Sequence, residues 1–176
     1  MKFFFLLLSG LMLSLSGMCQ VTDTLIYDSN RKLTWGDFQG KPRPSDRSKG
    51  AQITVTINLK VKKVSFWTGK AKYDAYAMAF TDKSWVKNEY KDDYTLAHEQ
   101  LHFDIAHIYA ETLELELNNL KTSSGQKVQV ADALRKSTKS MTEYQALYDR
   151  ETRGGNNVAR QKEWAKKIEE DLKIIN

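Results

Sequence analysis

The chain has 176 residues, of which 41% are hydrophobic and 28% are charged. This balance excludes intrinsic disorder as the default state and is typical of one globular domain with a sizeable core. The net charge of +5 comes from scattered basic residues without a dense basic run or a nucleic-acid motif, so nucleic acid is not an expected partner.

The first 19 residues have the pattern of a signal peptide. Lys2 gives a short basic start, an apolar stretch follows, and small residues are positioned for cleavage before Gln20. The stretch is too short for a stable transmembrane span. We therefore predict a secreted or periplasmic protein whose processed chain, residues 20–176, forms a single domain. A lipid anchor on Cys19 is the alternative, although Met18 stands where a lipobox has a small residue.

Cys19 is the only cysteine in the sequence. If it leaves with the signal peptide, the processed chain cannot use disulfides, and its stability must come from core packing and any bound metal. Processing also removes Lys2, the only charged residue in the first 19, and lowers the net charge by one, from +5 to +4.

Strands are predicted in the first half of the processed chain. Residues 33–40 are expected to dock on the core through their tryptophan and phenylalanine, and residues 41–50, which hold both prolines, form a loop. Residues 51–63 alternate β-branched apolar residues with polar ones at a period of two, which indicates a strand. A further strand is predicted over residues 72–81.

Three helices are predicted in the second half. Apolar residues at helical spacing indicate a long helix from Asp93 to Leu120. Two more helices are expected over residues 129–148 and 158–174, with a bend between them at residues 150–157 that contains two consecutive glycines. Strands followed by helices indicate an α+β fold with a small, mainly antiparallel sheet.

An HExxH motif, His98-Glu99-Gln100-Leu101-His102, lies inside the first predicted helix. Positions i and i+4 share one helix face, about 6 Å apart along the axis, so two imidazoles there can reach one zinc ion. Glu99 is turned about 100° from His98, where it stays off the metal but can take a proton from water that the zinc activates. The motif therefore predicts a zinc site with Glu99 as the catalytic base. A surface or core pair of histidines is the alternative.

The motif leaves the third metal ligand open. His107 lies nine residues after His98, about half a turn off that face. Glu116 returns to the face, but about 21 Å beyond His102. A third ligand must therefore come from another segment of the chain.

Four segments of this sequence resemble a bacterial domain-of-unknown-function family that is described as predicted secreted zinc-dependent proteases. They are residues 33–38, the HExxH region 98–104, the Tyr-Asp-Arg-Glu-Thr run at 148–152 and the Gln-x-x-Trp at 161–164. The resemblance implies a zincin-like fold and a zinc-dependent metallopeptidase that hydrolyses amide bonds of a peptide or protein substrate by metal-activated water. By analogy with zincins, the strand at 72–81 is the expected edge for a bound peptide.

The chain departs from that family's pattern at Gly154. The family usually reads Y-D-x-[DE]-T-x-H-G, and Gly154 stands in place of the histidine. By similarity with aspartate-liganded zincins, Glu151 is the predicted third ligand, with Asp149 as the alternative. A helix cap or an ion pair with Arg150 or Arg153 would also explain these two carboxylates. Because of Gly154, a catalytically impaired cell-envelope binding module is the alternative function, and an accidental motif in a structural envelope protein is the third.

Overall fold

The computed structural model describes residues 23–42, 46–120 and 126–175. The predicted signal peptide and the candidate anchor residue Cys19 lie outside these ranges. The strands are β1 (Thr24–Ile26), β2 (Ala51–Gln52), β3 (Val55–Val64), β4 (Ala71–Phe80) and β5 (Trp85–Val86), and the helices are α1 (Asp93–Asn118), α2 (Gln126–Thr152) and α3 (Val158–Ile175). Short 3-10 turns lie at Trp35–Asp37 and Asn88–Tyr90. The predicted α+β class is confirmed.

Two small antiparallel sheets form the β part of the fold. β1, β4 and β3 make a three-stranded sheet in that order, and β2 pairs with β5 in a separate ribbon. β4 therefore lies between β1 and β3. The prediction that this strand offers a free edge to a bound peptide is wrong. β1 covers only Met78–Phe80 of this edge. Farther along, two side chains of α1 accept its backbone N–H groups, Glu114 from Ala75 and Asn118 from Tyr73, each at 2.9 Å.

The predicted strand over residues 51–63 is divided into β2 and β3. The break lies at Ile53 and Thr54, whose N–H groups point to side chains instead of to a strand partner. Ile53 donates to Glu99 Oε2 at 2.7 Å, and Thr54 donates to Ser84 Oγ at 2.9 Å. The first of these bonds ties the strand region directly to the HExxH helix.

Helix α1 packs across the sheet and carries the centre of the core. The alternate residues of β4 that face it are alanines and one tyrosine, and small side chains there allow the helix to approach closely. On the helix, Ile105, Ala106, Ala110 and Leu117 are completely buried. α2 and α3 pack on the same helix through Tyr148 and other apolar residues.

All three predicted helices are present, and α2 is longer than expected. It continues into the predicted bend at residues 150–157 and ends at Thr152. Three consecutive left-handed residues then turn the chain, with φ of 53° at Arg153, 59° at Gly154 and 87° at Gly155. The Gly154 N–H donates to the Asp149 carbonyl at 2.7 Å, which closes the helix end. Within the described ranges, no helix is long and apolar enough to cross a membrane.

Candidate metal centre

The two histidines of the HExxH motif point towards one carboxylate. Both side chains are buried on α1, and their ring centroids lie 5.0 Å apart. Asp149 Oδ1 lies 3.2 Å from His98 Nε2 and 2.9 Å from His102 Nε2. The three ligand atoms lie within 4.8 Å of one another, a spacing at which they could hold a metal ion.

Asp149 reaches this position because neighbouring residues attach α2 to α1. Gln145 Nε2 donates to the His102 carbonyl at 3.0 Å. The Tyr148 hydroxyl lies 2.8 Å from His98 Nδ1, and the two rings stack with centroids 4.7 Å apart. Burial raises the pKa of the Tyr148 hydroxyl and the charge of Glu99 raises it further, so this hydroxyl keeps its proton.

The predicted ligand Glu151 is not brought to the imidazoles. Its carboxylate accepts a hydrogen bond from Trp164 Nε1 at 3.0 Å and forms an ion pair with Arg160, so it holds α3 against α2. The reason is that residues 149–152 are helical, and positions two apart on a helix differ by about 200°. Asp149 and Glu151 therefore face opposite ways, and Asp149, the alternative from the sequence, is the one beside the histidines.

The Asp149 carboxylate is held in its charged form. Burial by itself would raise its pKa, but hydrogen bonding to His102 and His98 keeps the pKa well below its usual range. The Lys49 ammonium, 3.6 Å from Oδ2, acts in the same direction. An ionised carboxylate is the state that a metal ligand requires.

Gln161 and Tyr148 both face His98 Nδ1. Gln161 Nε2 faces the Tyr94 carbonyl at 3.5 Å, which sets the orientation of the amide and leaves its Oε1 as an acceptor 3.0 Å from His98 Nδ1. The Tyr148 hydroxyl also lies 2.8 Å from Nδ1. In the tautomer with the proton on Nδ1, that proton is donated to Gln161 and the Nε2 lone pair faces Asp149 Oδ1 at 3.2 Å, an arrangement that calls for a cation between the two acceptors. In the other tautomer, Nε2 donates its proton to Asp149.

Glu99 lies beside the centre without joining it. The side chain is 4% exposed, and its Oε2 accepts the hydrogen bond from the Ile53 backbone. This bond fixes the carboxylate in the wall of the cleft that also contains the two histidines and Asp149. The position agrees with the 100° offset that the helical spacing predicts.

The centre lies in a cleft of about 620 Å³. Its walls come from the segment before β3, from the first turns of α1 and from the end of α2 with the glycine turn. Gly154 lines the cleft, and a Cβ at that position would meet no other atom within 4 Å. A Cβ at Gly155, by contrast, would lie 3.4 Å from the His98 ring. The position where the resembling family usually has histidine is thus open to the cleft.

Residues 20–155 match DUF922, a bacterial protein family of unknown function. The match covers more than half of the chain. The chain belongs to the DUF922 family. No curated protein and no solved structure matches it. The part that matches DUF922 contains His98, His102 and Asp149, whereas Gln161 lies beyond its end.

Sequence reasoning did not assign a role to Gln161 of this DUF922 member. The residue lies 63 positions from His98 and in a different helix, so no periodic pattern connects the two. The only signal was its place in the Gln-x-x-Trp segment. In the structure it is 4% exposed, and its Oε1 lies 3.0 Å from His98 Nδ1, where it can accept the N–H of a metal-binding imidazole.

Replacing Gln161 with leucine should therefore weaken zinc binding by about 10- to 100-fold, because the His98 ring loses the acceptor that orients it through Nδ1. The affinity is measured by competition with a chromophoric chelator. Gln126→Leu is the matched control, since Gln126 is also a buried glutamine but bonds the backbone of Ala71, away from the metal centre. An equal loss in both variants would show that packing, and not orientation of the imidazole, is responsible.

Proposed function

We propose that this DUF922 protein is a zincin-like, zinc-dependent metallopeptidase, secreted or periplasmic, that hydrolyses amide bonds of a peptide or protein substrate. The observation that carries the proposal is the convergence of His98 Nε2, His102 Nε2 and Asp149 Oδ1. With the proton of His98 on Nδ1 beside Gln161 Oε1, these three atoms are lone-pair donors that face one another and suit a shared cation.

The donor set suits zinc. Two imidazoles and one carboxylate are typical of catalytic zinc sites, in which three protein ligands leave a fourth position open to water or substrate. When bound, the ion would polarise the substrate carbonyl and lower the pKa of water at that position. His98, His102 and Asp149 would hold it, while Gln161 orients the His98 ring through Nδ1.

Glu99 would act as the general base. Glu99 follows His98 directly and lines the cleft, and its carboxylate is held by the Ile53 N–H. From this position it can take a proton from the attacking water and later give it to the leaving amine. The same backbone bond keeps the carboxylate oriented between the two transfers.

The edge of β2 supports an extended peptide as the substrate. Lys87 N donates to the Gly50 carbonyl, and the strand register pairs Ala51 with Val86. Because bonded pairs alternate along an antiparallel ladder, the N–H and C=O of Ala51 point away from β5. Ala51 lines the cleft, so an extended peptide could add to this edge beside the metal centre.

The test is hydrolysis of a broad peptide library, read by mass spectrometry. The zinc-loaded chain is expected to cleave a subset of peptides, to lose this activity on chelation and to regain it when zinc is restored. Cleavage that persists after complete removal of metal would contradict the proposal.

The second candidate function is a binding module on the same scaffold. The observation that favours it is the open position at Gly154, where no side chain is available to assist the reaction. Such a module would bind zinc in stoichiometric amount and would retain peptides from the library without cleaving them. Peptide capture without any new termini would therefore favour this function over the peptidase.

A further inference from the structure

The tip of the β3–β4 hairpin presents two aromatic rings to solvent. Phe66 and Trp67 are each 91% exposed, and their rings contact each other edge to face at 5.5 Å. The turn that carries them is closed by two backbone hydrogen bonds of 2.9 Å, from Ser65 N to the Lys70 carbonyl and from Gly69 N to the Ser65 carbonyl. Large aromatic side chains are normally buried to a high degree, so this exposure needs a reason.

The lysines nearest to the rings lack acidic partners. No salt bridge forms at Lys63 or Lys70 in the part of the chain that the structure describes. Farther from the tip, by contrast, Lys60 and Lys62 both pair with Asp74. The two aromatic rings are thus flanked by positive charge that no carboxylate of the described residues neutralises.

The first turn of α2, which lies beside the hairpin, also presents basic and apolar side chains. Its first residue, Gln126, is bonded to the backbone N–H and carbonyl of Ala71, so the start of the helix lies beside the hairpin. The next two residues are Lys127 and Val128, and Val128 is 67% exposed. Val64, the last residue of β3, is also exposed.

We propose that this hairpin tip docks on an anionic lipid bilayer, with Phe66 and Trp67 inserted at the level of the headgroups and Lys63 and Lys70 on the lipid phosphates. Tryptophan is enriched at membrane–water interfaces, and each basic residue near an anionic surface adds to the attraction. A protein partner is less well matched, because a stable interface needs about 800 Å² on each side and two rings surrounded by lysines offer far less. This inference does not depend on the proposed peptidase activity.

The docked orientation follows from the position of the tip in the fold. Asn118, at the end of α1, is bonded to Tyr73 near the hairpin, whereas His98 lies near the start of the same helix. Twenty helical residues span about 30 Å. The part of the hairpin that contacts Asn118 thus lies about 30 Å along α1 from His98, and a bilayer at the tip would leave the cleft open to molecules that are not embedded in the lipid.

The test is co-sedimentation of residues 20–176, which hold every described helix and strand, with lipid vesicles. One set contains phosphatidylglycerol in phosphatidylcholine, and the other contains phosphatidylcholine alone. The chain is expected to bind the anionic vesicles, and Phe66→Ser with Trp67→Ser should weaken this binding at least about tenfold. Val158→Ser with Ile174→Ser is the matched control, because both residues are exposed elsewhere on the molecule, and it should bind as the wild type does.

Charge reversal separates the contribution of the lysines from that of the aromatic rings. Lys63→Glu with Lys70→Glu should abolish the preference for anionic over neutral vesicles, while circular dichroism and the thermal midpoint stay unchanged because Lys63 is exposed, Lys70 is only partly buried, and neither forms a salt bridge with a described residue. Failure of the wild type to bind anionic vesicles, or equal binding by the serine variant, would overturn the proposal. The proposal would also be overturned if the chain associated with itself in the absence of lipid and the same serine substitutions abolished that association, because the tip would then be a protein interface.

Discussion

Replacing Asp149 with alanine is expected to reduce zinc affinity by at least about 100-fold, because the site would keep only two imidazole ligands. The loss should appear as zinc content near zero in the purified chain and as a failure to compete with a chromophoric chelator. The same change removes the ionised group that lies 2.9 Å from His102 Nε2 and 3.2 Å from His98 Nε2.

Glu151→Ala is the matched control for this experiment. It removes a carboxylate two residues away, in the same helix, that bonds Trp164 and Arg160 instead of the histidines. We expect this variant to keep its zinc and to have a lower thermal midpoint, since α3 loses a contact with α2. Loss of zinc from Glu151→Ala together with its retention in Asp149→Ala would show that the assignment of the third ligand is reversed.

Replacing Glu99 with glutamine is expected to lower the rate of peptide hydrolysis by about 10²- to 10⁴-fold, the usual contribution of a general base. Zinc content should not change, because Glu99 lies off the group formed by His98, His102 and Asp149. The amide oxygen of glutamine can still accept the hydrogen bond from Ile53, so the local fold is preserved.

Glu116→Gln tests whether any charge change on α1 has the same effect. Glu116 is exposed near the other end of the helix, and its replacement should leave hydrolysis and zinc content at wild-type values. Full activity in Glu99→Gln would rule out the water-activating role, whatever the behaviour of Glu116→Gln.

The α+β class and the three helices were accessible from sequence because their signals are local. Strict alternation after residue 51 and helical spacing after Asp93 do not require knowledge of distant contacts. The geometry of the HExxH pair is local in the same sense, since the i and i+4 positions of any regular helix share a face. This is why His98 and His102 could be assigned to one site before the fold was known.

The third member of the group, Asp149, could not be identified from local sequence patterns alone. Residues 150–152 were expected in a bend that begins directly after Asp149, and whether such a segment stays helical is decided by its packing against α1 and α3. When the segment is helical, the rotation of the helix between successive residues places Asp149 beside the histidines and Glu151 beside Trp164. The role of Gln161 was harder to predict, because its contact with His98 exists only when α3 has packed against α1.

The most direct test of the account is X-ray absorption spectroscopy at the zinc edge on the zinc-loaded chain. The proposed centre predicts one zinc per chain with two imidazole nitrogens at about 2.0 to 2.1 Å and a carboxylate oxygen at about 2.0 to 2.2 Å. In Asp149→Ala the spectrum of any residual zinc should lose the carboxylate contribution. A chain that does not take up stoichiometric zinc, or a zinc coordination shell without scattering from two imidazole rings, would contradict the proposed zinc centre.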